Sequence, residues 1–136
     1  MKNNDEEIDL EKTRHYRKYC LHCHKLQWNY IYNYYSNTKV DEWKSIFKVL
    51  DDFRNHYHLI NMKYDLILCY FFDDCYKCPM GTCNGSKIDS SLYTLLFYYY
   101  DVIKLSRKGT NIVKAVSGFF RVLKQIIALG DDDEEI

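Results

Sequence analysis

One proline and five glycines in 136 residues leave few points where the backbone is forced to turn. Both residues punctuate loops and break regular elements. With alternating apolar and polar patterns also scarce, a sheet-rich fold is disfavoured. Net charge is absent too: 19 Lys and Arg balance 19 Asp and Glu. No global field therefore steers the chain to nucleic acid or to an anionic membrane. No apolar run reaches the ~18–20 residues that span a bilayer. The opening stretch, MKNNDEEIDLEKTRHYRKYC, is charged almost throughout. A secretory signal or transit peptide is not expected from it, and the compartment expected by default is intracellular, where thiols stay reduced. No Ser-His-Asp order, phosphate loop or carboxylate pair stands out, so no enzymatic activity is expected.

What the chain has is apolar bulk. Apolar residues make up 47% and aromatic residues 17%, including 14 Tyr. Such a chain is globular rather than disordered. Its length suits one domain, since domains typically hold ~100–150 residues. We expect a helical domain over residues 1–130 and a solvated acidic tail, DDDEEI, over 131–136. Phe, Tyr, Met, Ile, Asn and Lys far outnumber Gly, Ala, Arg and Pro. That bias matches AT-rich coding DNA, as in some protozoan parasites and large DNA viruses.

The periodicity predicts an all-α fold, a small bundle of four to five helices with a cysteine-rich loop. A first helix is expected over roughly Asp9 to Tyr35, basic in its first half and aromatic in its second. A second is expected from about Val40 to Tyr57, with Asp41 as N-cap or first-turn acid. Its residues Trp43, Ile46, Phe47, Leu50, Phe53 and Tyr57 step by three or four and form one stripe. MKYDLILCYFF is apolar on too many sides for a surface helix and reads as a buried one. CPMGTCNGSKID is loop. Ser90 or Asp89 should cap the next helix, SSLYTLLFYYYDVIKLS, with Leu92, Leu95, Leu96, Tyr99 and Ile103 facing the core. RKGTN is a turn. The last helix, NIVKAVSGFFRVLKQIIAL, should stop at Gly130 in a C′ position.

Six cysteines carry the chemistry that is legible: Cys20, Cys23, Cys69, Cys75, Cys78 and Cys83. Two pairs have C-x-x-C spacing, Cys20 with Cys23 and Cys75 with Cys78. Two such pairs supply the four soft ligands of a closed tetrahedral Zn²⁺ site, with His24 and Cys83 as substitutes. The gap between the pairs far exceeds the ~15–20 residues of usual zinc modules. On a continuous helix Cys20, Cys23 and His24 share one face. CLHCH also fits the haem-attachment pattern C-x-x-C-H, although that chemistry belongs to exported proteins. CYKCP could be a redox couple, with Lys77 lowering a thiol pKa. An even count also allows disulfide staples in an oxidising space, each worth ~2–4 kcal/mol. Cys69, inside LILCYFF, reads as a buried apolar residue.

KTRHYRKYCLHCHKLQWNYIYNYY interleaves cations with rings, as single-stranded nucleic-acid sites do. On a helix, however, Trp28, Ile31 and Tyr35 should pack inward while the cations are solvated. His56 and His58 lie at i, i+2 and point to different faces.

CHKLQWNYIYNYY resembles the Cys-x-x-Leu…Trp…Tyr helix of the Plasmodium interspersed repeat proteins, a variant protein family. WKSIFKVLDDF falls where those proteins carry a further amphipathic helix, and SSLYTLLFYYYDVIK is similar to their Leu-Tyr…Tyr-Asp-x-Ile-Lys segment. The order covers about Cys20 to Lys104. The resemblance implies a helical, disulfide-stapled antigen exported into or displayed on infected cells. The membrane-spanning C-terminal segment usual in that family has no counterpart here.

Two functions follow as expectations. One is a non-catalytic, cysteine-stapled helical binding protein of parasite or viral origin that acts on host components, with a protein as partner. The other is an intracellular zinc-stabilised adaptor, possible also at nucleic acid, with Cys20, Cys23, Cys75 and Cys78 as ligands.

Overall fold

The computed structural model describes residues 7–59, 61–72, 92–105 and 110–131. Among them every regular element is helical, as the periodicity predicts. The helices are α1 (Leu10–His15), α2 (Arg17–Ser36), α3 (Ile46–His56), α4 (Leu68–Phe71), α5 (Leu92–Leu105) and α6 (Thr110–Ala128), with a 3₁₀ turn at Val40–Glu42. The loop over CPMGTCNGSKID, the caps Ser90 and Asp89, and residues 132–136 of the tail lie outside the described residues.

Helix α2 is the central element and packs on α1, α3, α4 and α6, while α5 lies chiefly against α6. Its inner face carries Cys20, Leu21, Cys23, His24, Trp28, Ile31 and Tyr35, all buried. The expectation that Trp28, Ile31 and Tyr35 point inward is met.

The first helix is not continuous. Tyr16 is extended, with φ −126° and ψ 112°, and it divides α1 from α2. The break turns α1 back so that it also touches α4. The backbone N–H of Asp9 then donates to the Tyr19 hydroxyl at 2.9 Å. Asp9 itself caps α1 by accepting from the Lys12 N–H.

Helix α3 starts later than its apolar stripe suggests. Ser45, not Asp41, is its N-cap and accepts from the Lys48 N–H at 3.2 Å. Trp43 precedes the helix and donates its indole N–H to the Thr38 carbonyl at 2.9 Å. Ile46, Val49, Leu50 and Phe53 are the buried stripe, whereas Phe47 is exposed.

MKYDLILCYFF is largely irregular, and only Leu68–Phe71 within it is helical. Leu66, Ile67 and Leu68 are buried as expected. Their carbonyls accept from the backbone N–H groups of Cys69, Tyr70 and Phe72, while the segment ahead of that turn is held by side chains. The Gln27 amide donates to the Asp65 carbonyl at 2.9 Å, and its oxygen accepts from the Ile67 N–H at 3.1 Å. The Tyr70 hydroxyl accepts from the Lys63 N–H at 2.6 Å and from the Tyr64 N–H at 3.2 Å. Gln27→Ala should cost about 1–3 kcal/mol, because it orphans a buried N–H and a carbonyl together. Urea unfolding of the variant checks this, and a change within error would mean that water takes over both bonds.

Helix α6 buries Ala115, Phe119, Val122, Leu123 and Ile126. Gly130 follows it without a left-handed φ. Its lack of a Cβ matters for space instead, since a Cβ there would meet the Lys25 side chain and sit 2.9 Å from the Leu21 carbonyl. Gly118 is a second close approach: a Cβ would fall 2.5 Å from Cε1 of Tyr99. Gly118→Ala should push the Tyr99 ring aside and cost about 1–3 kcal/mol. An unchanged melting temperature would show that α5 and α6 are not in register through this contact.

Candidate functional site

Among the described residues, two places gather thiol and imidazole groups or exposed apolar side chains. The first is the inner face of α2. Cys20 and Cys23 are fully buried, one turn apart, as the i, i+3 spacing requires. The Cys20 thiol donates to the Ile67 carbonyl at 3.6 Å, tying α2 to the irregular segment before α4. Cys23 lies against the Tyr19 phenol, whose pKa is raised chiefly by burial.

His24 completes this face. It is inaccessible to solvent, and its Nε2–H donates to the Ile126 carbonyl of α6 at 2.7 Å. That bond sets the tautomer, so Nδ1 carries the lone pair, and Nδ1 is buried with no hydrogen-bond partner. Burial lowers the imidazole pKa to about 4, so the ring is neutral at pH 7.

Cys75 and Cys78, the other half of the expected metal clamp, and Cys83, a substitute ligand, lie outside the described residues. Among the described residues no group of three or more His, Cys, Asp and Glu side chains is arranged to hold a metal ion. His22, next to the first pair, is exposed, and the His56 ring lies tilted against Tyr30 with centroids 5.4 Å apart. His58 occupies a left-handed turn residue, φ 59°. Cys69 is half-buried rather than fully buried.

The cation-and-ring segment separates as a helix should separate it. Lys12, Arg14, Arg17 and Lys18 are exposed, while Trp28, Ile31 and Tyr35 are in the core. Between them, Lys12 Nζ lies 4.4 Å from the centroid of the half-buried Tyr19 ring. The rings at the core are therefore not available for bases to stack on.

The second place is the outer side of the α5–α6 pair. A groove of about 760 Å³ opens there. Tyr98, Tyr99 and Val102 form one wall, and Val113, Lys114 and Arg121 stand on the other. Arg121 donates to the Tyr99 hydroxyl at 3.2 Å. The core face of α5 consists of Tyr93, Leu96 and Ile103. Leu95, assigned to that face by its spacing, is exposed instead. It belongs to a second stripe: Leu95, Tyr98, Val102 and Leu105 recur at steps of three, four and three along the opposite side. That stripe is present in the sequence. It is masked there because α5 is apolar nearly all round, so two faces compete for the core.

No protein-family model, curated protein or solved structure matches the chain. None of the helices among the described residues is long and apolar enough to cross a membrane.

Proposed function

We propose that this chain is a non-catalytic helical binding protein that uses the outer face of α5 and α6 to hold a protein partner. The composition of α5 carries the reading. Of its residues only Thr94, Asp101 and Lys104 are neither aliphatic nor aromatic. A helix apolar all round is a helix meant to be covered all round. Yet Tyr98 is 61% exposed, Leu105 80% and the neighbouring Val113 of α6 67%. Isolated apolar side chains on a surface need no explanation, but a contiguous set rimmed by polar groups marks an interaction site. Tyrosine suits such a role, with a rigid apolar ring and a polar tip. The AT-rich residue usage and the resemblance to the Plasmodium interspersed repeat proteins support a parasite or viral source and a host protein as the partner.

The test is affinity capture with two baits, the wild-type chain and the Tyr98→Asp/Leu105→Asp variant. Both substitutions replace exposed side chains, so the variant should melt within a few degrees of wild type. A protein retained by the wild type, lost by the variant and rebound after purification supports the reading. Identical sets of proteins on both baits, or a cross-link from position 98 to the chain itself, would overturn it.

A further inference from the structure

The exposed stripe and the groove beside it also define the chemistry of what they would hold. We infer that the occupant is an amphipathic α-helix with leucine-like side chains at heptad spacing and carboxylates along one flank. This inference rests on the binding role proposed above.

The spacing comes first. Leu95, Tyr98, Val102 and Leu105 repeat at three, four and three, the spacing of the a and d positions of a helical seam. An extended strand would place side chains every second residue and would not match it. The stripe runs from Leu95 to Leu105, nearly the whole length of α5, so about two heptads of partner helix would cover it.

Charge then selects the flank. The α6 side of the stripe presents Lys114 and Arg121, and among the described residues that line the groove there is no acid. Arg121 uses one terminal nitrogen on the Tyr99 hydroxyl, and its guanidinium carries further donors in a fork that fits a carboxylate. The opposite flank of the stripe, by its position on the helix, carries Asp101. A partner helix with acids toward α6 and none toward Asp101 would match both sides. A second copy of this chain, paired with α5 antiparallel across a two-fold axis, would set Lys114 and Arg121 against their own counterparts. Like charges so placed disfavour that assembly.

The inference is tested with two stapled helical peptides of two heptads each. Both carry leucine at a and d. One has glutamate at e and lysine at g, and the other has lysine at both. Binding to the full chain is read by fluorescence anisotropy. The glutamate peptide should bind at least about tenfold more tightly, and added salt should narrow the gap. Lys114→Glu/Arg121→Glu, at two exposed positions, should reverse the preference. Equal binding of the two peptides, or no binding of either, would overturn the helix-and-carboxylate inference. The binding role would still stand if the capture experiment separated wild type from the Tyr98→Asp/Leu105→Asp variant. Sedimentation showing a stable dimer that Val102→Asp dissociates would also overturn the inference, because the stripe would then be covered by a second copy.

Discussion

Phe119→Ala should destabilise the fold by about 3–5 kcal/mol, the range for a large buried ring cut back to a methyl group. Phe119 is fully buried and stands where α2, α5 and α6 meet the Trp43 turn. Its ring centroid lies 5.0 Å from those of both Tyr35 and Trp43 and 6.3 Å from that of Tyr100. The Tyr35 pair is edge-on at 82°, a geometry worth ~0.5–1.5 kcal/mol beyond buried area. Tyr35 cannot swing freely into the space left behind, because its hydroxyl donates to the Lys44 carbonyl at 2.8 Å. Trp43 is held in the same way by Thr38. Two pinned neighbours leave an open cavity, which puts the expected cost toward the upper end of the range. Urea unfolding with an unchanged slope would measure it. A loss below about 1 kcal/mol would show that the ring cluster is loosely packed.

Acid should weaken the fold by about 3 kcal/mol through His24 alone. Burial holds the folded pKa at about 4, against 6.5 for the free side chain. Above pH 6.5 the ring is neutral in folded and unfolded chains alike, and the full stability is present. As the pH falls from about 6.5 to about 4, the unfolded chain takes up a proton that the folded chain refuses. Each unit costs about 1.4 kcal/mol, so stability drops across that window and levels off below it. The structural cause is Nδ1, which would become a buried donor facing no acceptor. Nearby, the ammonium of Lys25 adds a smaller unfavourable charge. His24→Gln offers an amide N–H for the Ile126 carbonyl without a titrating ring. Melting curves between pH 7 and 4 should therefore converge for the two proteins at low pH, with the variant losing less. Parallel curves would mean that the imidazole is hydrated in the fold.

The parts of this fold that were legible from the chain are those where one periodic face outweighs the rest. The stripe of α3, the inward Trp28, Ile31 and Tyr35 of α2, and Phe119, Leu123 and Ile126 of α6 all follow from steps of three and four. The break at Tyr16 was not legible, because no Pro or Gly marks it and its cause is the return of α1 onto Tyr19. The Ser45 cap was obscured by Asp41, an equally good cap by residue type that lies inside a 3₁₀ turn instead. MKYDLILCYFF misled for a different reason. Hydrophobicity gave its burial correctly, but its backbone shape depends on Gln27, far away in sequence. The cysteine pairs announced themselves by spacing, yet only Cys20 and Cys23 fall among the described residues. The α5 stripe was visible residue by residue and became distinguishable from the core face only once α6 was in place.

The two bonds from Gln27 have a consequence for the order in which the chain assembles. Residues 61–72 close one short turn of their own around α4, and the Lys63 and Tyr64 amides reach Tyr70, but the Ile67 amide and the Asp65 carbonyl look to a side chain on α2. That segment can settle only after α2 has formed and been buried, a late step with a high loop-closure cost. The same dependence works in reverse in the native state. Amide hydrogens of Ile67 and its neighbours should exchange through a local opening that leaves α2, α3 and α6 intact, well before the whole molecule unfolds.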